Sequence, residues 1–446
     1  MPQMFNRLFN IRAGESGLVI TLGCILLGNA LTQKISEIVA VSTFVSEVGT
    51  APFLMVFIGS SLVNLLITGA QALWVDRFDR IKLLRGIGVV FGVAFISLRL
   101  LVLFHAPRWL TYGLLYILSE QQLVFFPMAF WLLANAMFDT PQSQRLFPVV
   151  GSLGFVGNLL GLGVAALSPA LFTQVGIKPE EILLFNSLIY LIIPSALAMG
   201  LKGVRLRKTH QKLEPIQQTL SEGWAFVRAV PAFYYLTLSI LGVVICATAI
   251  EYHFFVQTAA AFPNTNSFQV FFSLFTLLRI LLYILFQSLL TQRLIQHIGI
   301  KNTFWIQPIS SCLGALSMMA IPGLAGGVSG ILLQKIPQYT VDETARKTLQ
   351  SFVPEEQRGQ VKLFIDSYLV SAGVIVGATI TGAIVVVSRF LDLTYYFYAY
   401  LTAGAIAAAV AIGAIAQMRS VYDNSLLNKR LKHRQQSRPG LDKLDF

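Results

Sequence analysis

Long apolar runs recur from one end of this chain to the other, and no other feature limits its fold so tightly. Twelve segments are long and apolar enough to cross a bilayer as helices: 17–47, 51–75, 84–104, 109–138, 146–172, 180–201, 232–260, 267–290, 302–322, 325–350, 359–388 and 393–418, here called spans 1 to 12. Only 12% of the 446 residues are charged, about half the share of a soluble domain, and the mean hydropathy is +0.69. The chain therefore reads as an all-α polytopic membrane protein with 12 transmembrane helices.

The placement of charge orients those helices. Lys and Arg crowd alternate loops, whereas the intervening loops hold Arg108, Lys178 and Arg389. Basic loops stay on the cytoplasmic side, so both termini are expected inside, in what reads as a bacterial cytoplasmic membrane. The net charge of +12 then reports orientation and attraction to anionic lipid, and no nucleic-acid partner is expected. The first 16 residues are mildly basic and no small-residue cleavage site follows, so span 1 reads as retained rather than as a signal peptide. Cys24, Cys246 and Cys312 fall in apolar segments without metal spacing and read as small buried hydrophobes.

The longest polar interruption, "KGVRLRKTHQKLEPIQQTLSEGWAFVRAV" at 202–230, divides the spans six and six. Its second part has the pattern of an amphipathic helix lying on the inner membrane face. The halves also look related. "VDRFDRIKLL" (75–84) follows span 2 and "TQRLIQHIGIK" (291–301) follows span 8, while Glu37 of span 1 and Glu251 of span 7 stand 214 residues apart. Weak similarity at a near-constant offset predicts two pseudo-symmetric six-helix bundles. Residues 1–201 form the first and 231–418 the second, joined by the linker 202–230 and followed by a basic tail, 419–446, that reads as a mobile cytoplasmic segment touching lipid. The loop carrying Asp76, Arg77 and Arg80 resembles the loop motif of the major facilitator superfamily, with Asp79 where Gly is usual and Ile81 where a basic residue is usual. That resemblance implies a fold of major facilitator type and a cytoplasmic latch formed by Asp76, Arg77 and Arg80.

Several spans carry charge where lipid would penalise it. A charge at the bilayer centre costs roughly 2.5–3.5 kcal/mol even on the insertion scale. Lys34 and Glu37 in span 1, Glu120 in span 4, Glu251 in span 7, Arg279 in span 8, Lys335 in span 10, and Lys362 and Asp366 in span 11 are such residues, with Asp342 and Glu343 near the inner end of span 10. Apart from Arg99 near an outer end of span 3, spans 3, 6, 9 and 12 are spared at depth, a pattern that a water-filled substrate path would produce. Lys34 and Glu37 are three apart and Lys362 and Asp366 four apart, so each pair shares a helix face and can neutralise itself; such pairs can equally serve packing alone. Glu120 and Glu251 have no obvious local partner. Gly157 and Gly161 in span 5, and Gly373 and Gly377 in span 11, allow helices to approach closely or slide. Pro127 and Pro337 predict kinks in spans 4 and 10.

Three stretches, "LSEQQLVFFPMAFWLLANAMFDTPQSQRLFPVVG", "AIEYHFFVQTAAAFPNTNSFQVFF" and "FVPEEQRGQVKLFID", together resemble the nucleotide translocases that exchange ATP for ADP in plastids and intracellular bacteria. Lys34 matches the lysine of that family's span 1 Lys-Asp pair, Glu120 opens its span 4 motif, Glu251 matches its span 7 glutamate, and Lys362 with Asp366 matches its Gly-Lys-x-x-Ile-Asp signature. Arg145 matches a basic residue at the inner end of span 5. The resemblance implies that these charges serve transport. Leu31, Ile35 and Phe255 replace charged residues of the family, and "VDETARKTLQSF" replaces its span 10 signature.

The resulting expectation is a secondary transporter working by alternating access and moving a nucleotide or related organic anion. Its substrate-binding candidates are Lys34, Glu37, Glu120, Glu251, Arg279, Lys335, Lys362, Asp366 and Arg145. Four cations and four carboxylates at depth balance, which keeps open a proton-coupled carrier of a smaller zwitterionic or neutral solute. No nucleophile–base constellation, phosphate loop or metal motif points to an enzyme or a cofactor. A non-transporting assembly role would leave the buried charges dispensable. A monomer is expected.

Overall fold

The computed structural model describes residues 12, 15–74, 79–175, 181–202, 216–350, 353, 355–392 and 395–436, and every regular element among them is helical. Among the described residues, ten helices are long and apolar enough to cross a membrane, as a multi-pass integral membrane protein requires. Spans 1 to 6 are the helices Ser16–Glu47, Thr50–Trp74, Arg80–Leu103, Arg108–Met137, Thr140–Val175 and Ile182–Gly200. Span 7 is Pro231–Ala261. Span 8 runs from Thr265–Phe286 through a π-turn, Gln287–Thr291, into Gln292–Ile298. Span 11 likewise passes from Glu355–Leu363 through the π-turn Phe364–Leu369 into Val370–Phe390.

Spans 9 and 10 depart from the expected unbroken crossings. Their main helices, Ile306–Ala320 and Gly323–Pro337, have 15 residues each, short of the roughly 20 that a bilayer needs. Span 10 recovers its length through a π-turn, Gln338–Asp342, and a further helix, Glu343–Gln350. Pro337 explains the break: its ring carries no N–H and crowds the carbonyl four residues back, and the wider π-turn starts at the next residue. Pro127, by contrast, sits inside an uninterrupted span 4 helix. The helix of span 12, Tyr396–Gln436, runs 18 residues beyond the expected limit of 418. The tail was expected to be mobile, but nothing between 419 and 436 is Gly or Pro, so no breaker stops the helix.

The helices divide into two compact units. One gathers the residues up to Pro215 with Thr258–Ile280, the other Ile216–Gln257 with Leu281 onward. In the first, span 1 lies chiefly along span 5 and also against span 4, and span 3 lies along span 6. Glycines set the first of these contacts. A Cβ at Gly157 would collide with the Leu27 carbonyl oxygen, and one at Gly161 would come within 2.5 Å of the Leu31 carbonyl oxygen and 3.0 Å of Lys34 Cβ. In the second unit Gly373 and Gly377 play the same part, a Cβ meeting Val244 at 2.8 Å and Thr248 at 3.0 Å on span 7.

The linker helix Ile216–Ala229 belongs to the second unit and inserts Phe226 and Val227 into a core with Phe233, Leu236, Ile365 and Met418. Its Gly223 lies against the span 11 π-turn, where a Cβ would stand 2.9 Å from Phe364 Cβ. Many large apolar side chains are exposed on the outer faces, Met55, Leu66 and Phe390 among them, as lipid contact demands. Cys24 is exposed too, against the expectation of burial, whereas Cys246 is buried and Cys312 partly so.

Candidate functional site

The first unit builds its charged centre on span 1. Lys34 Nζ donates to Glu37 Oε2 at 2.7 Å, and Gln33 Nε2 donates to the same oxygen at 3.0 Å. Both side chains of the pair are largely shielded, 12% and 17% exposed. Arg279 adds a favourable electrostatic interaction with Glu37, so one carboxylate answers two cations. The expected spacing rule holds here, since residues three apart share a helix face. Behind Lys34, Gly161 brings span 5 to the backbone of the same turn, which limits how far this part of span 1 can rotate.

The other face of span 1 carries a neutral polar network that charge counting overlooks. Tyr190 Oη donates to Asn29 Oδ1 at 2.6 Å, Gln122 Nε2 donates to Tyr190 Oη at 2.9 Å, and Asn29 Nδ2 donates to the Gln122 carbonyl at 3.0 Å. Asn186 Nδ2 donates to Ser36 Oγ at 3.0 Å. All five residues are buried. Gln122 Oε1 and Asn186 Oδ1 accept no hydrogen bond among the described residues, but in apolar surroundings the bonds that are made hold spans 1, 4 and 6 in one register. Their helical spacing, 29 and 36 in span 1 with 186 and 190 in span 6, is the signal that could have found them.

Glu120 is half-buried on span 4, next to Gln121, whose amide donates to Asn64 Oδ1 of span 2 at 2.6 Å. Arg145 lies apart from the Lys34 centre. It grips Glu15 with two hydrogen bonds of 2.9 and 3.0 Å at the start of span 1, and Gln142 joins at 3.3 Å. The guanidinium holds the Glu15 carboxyl below its ordinary pKa, chiefly through those bonds. Asp76 and Arg77 of the expected latch lie outside the described residues. Arg80 opens span 3, where Asp79 caps the helix by accepting from Ile81 N at 2.8 Å and Lys82 N at 3.4 Å.

In the second unit Lys335 Nζ of span 10 reaches Glu251 Oε2 of span 7 at 2.8 Å, with 12% and 29% of the side chains exposed. Glu251 thus has a partner that its sequence neighbourhood does not disclose. Lys362 and Asp366, expected to pair, do not: Asp366 forms an ion pair with Arg346 at 3.5 Å and accepts a hydrogen bond from Gln350 Nε2 at 3.3 Å, while Lys362 is exposed. The cause is the π-turn that starts at Phe364, since a helix of wider turn no longer sets residues four apart on one face. Arg346, not singled out by sequence reasoning, is the hub of this end. Its guanidinium also holds Asp342 at 2.8 Å, and the two side chains are only 16% and 14% exposed.

Comparison with known proteins follows the same lines. No protein-family model matches the chain. A stretch of 56 residues is 41% identical to "ADP,ATP carrier protein 3" of Rickettsia bellii (strain RML369-C), taking in 12% of this chain and 11% of that protein, so the match spans about a tenth of the relative. A mutant of the nucleoside transporter NupG superposes with a TM-score of 0.64 at 14% identity, over 90% of this chain and 99% of that one. An auto-inhibited peptide transporter of the POT family superposes with a TM-score of 0.62 at 14% identity, over 89% and 96%. A bacterial homologue of the lysosomal transporter Spinster gives 0.59 at 13%, over 94% and 98%. An all-helical membrane chain that superposes along nearly its whole length on these transporters has the fold of the major facilitator superfamily.

Proposed function

We propose that the chain is a secondary transporter, working by alternating access, that carries a nucleotide or related organic anion across a bacterial cytoplasmic membrane with both termini inside. One observation carries this reading. The partly buried lysines Lys34 and Lys335 are each held by a carboxylate, Glu37 and Glu251, on helices otherwise built for lipid. A carboxylate on a lysine occupies the place that a substrate phosphate or carboxylate can take, so exchange of one anion for the other keeps the site neutral. In this role Lys34, Lys335, Arg279 and Lys362 attract the substrate, and Glu37, Glu120, Glu251 and Asp366 restore balance in its absence. Arg145 orders the entrance to span 5, and Asp76, Arg77 and Arg80 act as a latch. The short match to an ADP,ATP carrier and the shared fold with a nucleoside transporter favour a nucleotide. The substrate leaves unchanged, so the chain is a carrier and not an enzyme, and it acts as a monomer in contact with lipid.

The one-to-one matching of lysine and carboxylate also favours a second reading, a proton-coupled carrier of a smaller zwitterionic or neutral solute. A nucleoside triphosphate brings about three to four negative charges and calls for a surplus of cations. The deciding experiment is uptake of labelled ATP into liposomes that contain the purified chain and are preloaded with ADP. Saturable exchange that disappears in Lys34→Ala and Lys335→Ala is expected. Folded protein that exchanges no nucleotide yet responds to a pH jump overturns the nucleotide reading in favour of the second.

A further inference from the structure

We infer that spans 3 and 4 seat the headgroup of a membrane phospholipid, one whose phosphate carries a primary ammonium, at the end of span 3 opposite Arg80. The inference rests on the membrane fold and not on the transported substrate; with both termini inside, the leaflet is the outer one. A cavity of about 670 Å³ lies where span 3 ends and span 4 begins, within the range of roughly 300–1,000 Å³ found for small-ligand sites. Arg99, Leu103, His105, Arg108, Thr111 and Tyr112 are among its lining residues. Its basic groups come from both helices and from the turn between them, where His105 holds a left-handed backbone with φ 55°.

The charges select a zwitterion. Arg108 Nη1 donates to Glu47 at the end of span 1, and Arg99 donates through Nε and Nη2 to Glu181 at the start of span 6. Neither glutamate lines the cavity, so the guanidiniums face it and the carboxylates stand outside it. A simple anion on these cations would leave the two carboxylates with their charge unanswered. A headgroup that brings phosphate and ammonium together answers both signs. Among the described residues Arg108 is engaged through Nη1 alone, which leaves the rest of its fork for phosphate oxygens. Glu47 is likewise engaged through Oε2 alone, and its other oxygen can accept from an ammonium N–H. A choline headgroup, with no N–H, cannot make that bond.

The apolar surface beside the cavity favours a lipid over a free anion. Val93, Ile96, Leu100 and Leu103 recur every three or four residues and all four are exposed, so they form one apolar stripe that ends at the cavity. From Val93 to Leu103 the helix rises about 15 Å, half of the roughly 30 Å hydrocarbon core and so the depth of one leaflet. Phe104 and Trp109, 76% and 58% exposed, flank the turn at the level where aromatic side chains sit among headgroups. Cations for a phosphate at the head of a leaflet-deep apolar stripe fit a phospholipid. A free nucleotide or inorganic phosphate would use the cations and leave the stripe without a role.

The test is native mass spectrometry of the purified full chain released from vesicles of equal parts phosphatidylethanolamine, phosphatidylcholine and phosphatidylglycerol, beside unfolding midpoints with each lipid added to detergent. Preferential retention of phosphatidylethanolamine is expected, and that lipid should raise the midpoint most. Arg108→Gln should lower its retention about tenfold, the lower end for losing a hydrogen bond to a charged group. Arg389→Gln, at a basic residue expected on the same membrane face, should leave retention unchanged. Glu47→Gln should bring phosphatidylethanolamine and phosphatidylcholine level without abolishing either, a change that loss of folding would not produce. Retention without headgroup preference in the wild type, or a preference unchanged in folded Arg108→Gln and Glu47→Gln, overturns the proposal. So does displacement of the lipid by inorganic phosphate or ATP, since the cavity would then belong to a free anion. Failure of nucleotide exchange in liposomes leaves these readouts in place and counts against the substrate alone.

Discussion

The two units neutralise a buried lysine in different ways. On span 1 the partner comes from the same helix: Lys34 and Glu37 are three residues apart, and Gly161 pins their turn from span 5. In the second unit the partner comes from another helix, Lys335 of span 10 reaching Glu251 of span 7. A pair within one helix survives any rigid movement of that helix, whereas a pair between helices is made or broken when they shift. The same contrast runs through the backbone. Among the described residues, spans 1 to 6 are free of π-turns, while spans 8, 10 and 11 each contain one. The first unit is built to hold a geometry and the second to change one.

Three measurements can break or sharpen that contrast. The largest effect is expected at the carboxylates. Glu37→Gln leaves Lys34 and Arg279 without their shared partner and should cost about 3 kcal/mol of stability, at the lower end for breaking a buried pair. Glu251→Gln, at a carboxylate 29% exposed, should cost about half as much, still within the effect expected of a partly buried pair. Unfolding midpoints in detergent report both, and equal losses would remove the distinction.

A smaller difference is expected at the glycines. Gly157→Ala drives a methyl into a backbone carbonyl that cannot yield and should cost about 2 kcal/mol. Gly373→Ala meets only the Val244 side chain at 2.8 Å and should cost less than about 1 kcal/mol, since a side chain can repack. The smallest effect is at the entrance of span 1. Arg145 holds the Glu15 carboxyl below its ordinary value, so its contribution is present at neutral pH and is lost as pH falls through the value in the folded state. Midpoints of wild type and Glu15→Gln should differ at neutral pH and converge in acid. A difference that persists unchanged in acid would assign the contact to shape and not to charge.

Much of this architecture is written locally and the rest is not. Spans announce themselves because lipid demands continuous apolar helix, and the Lys34–Glu37 pair is legible because both residues lie on one turn of one helix. The Glu251–Lys335 pair depends on two helices 84 residues apart meeting, which no spacing rule contains. Lys362 and Asp366 show a rule failing for a local reason, the π-turn between them. Arg346 lies in "VDETARKTLQSF", where charges at an inner helix end read as topological, although its four-residue spacing from Asp342 is visible in the sequence. The network of Asn29, Gln122, Asn186 and Tyr190 escapes notice because uncharged polar residues scattered through apolar spans have no sign to balance.

The π-turns carry one further consequence. Each is in effect an α-helix with a single extra residue folded into it, its flanks keeping the faces they would have without it. Removing one residue from 338–342 would therefore leave Pro337 in place yet keep Lys335 turned toward span 7. Chain length, usually the least forgiving parameter of a membrane helix, is the one these three helices can edit in steps of one.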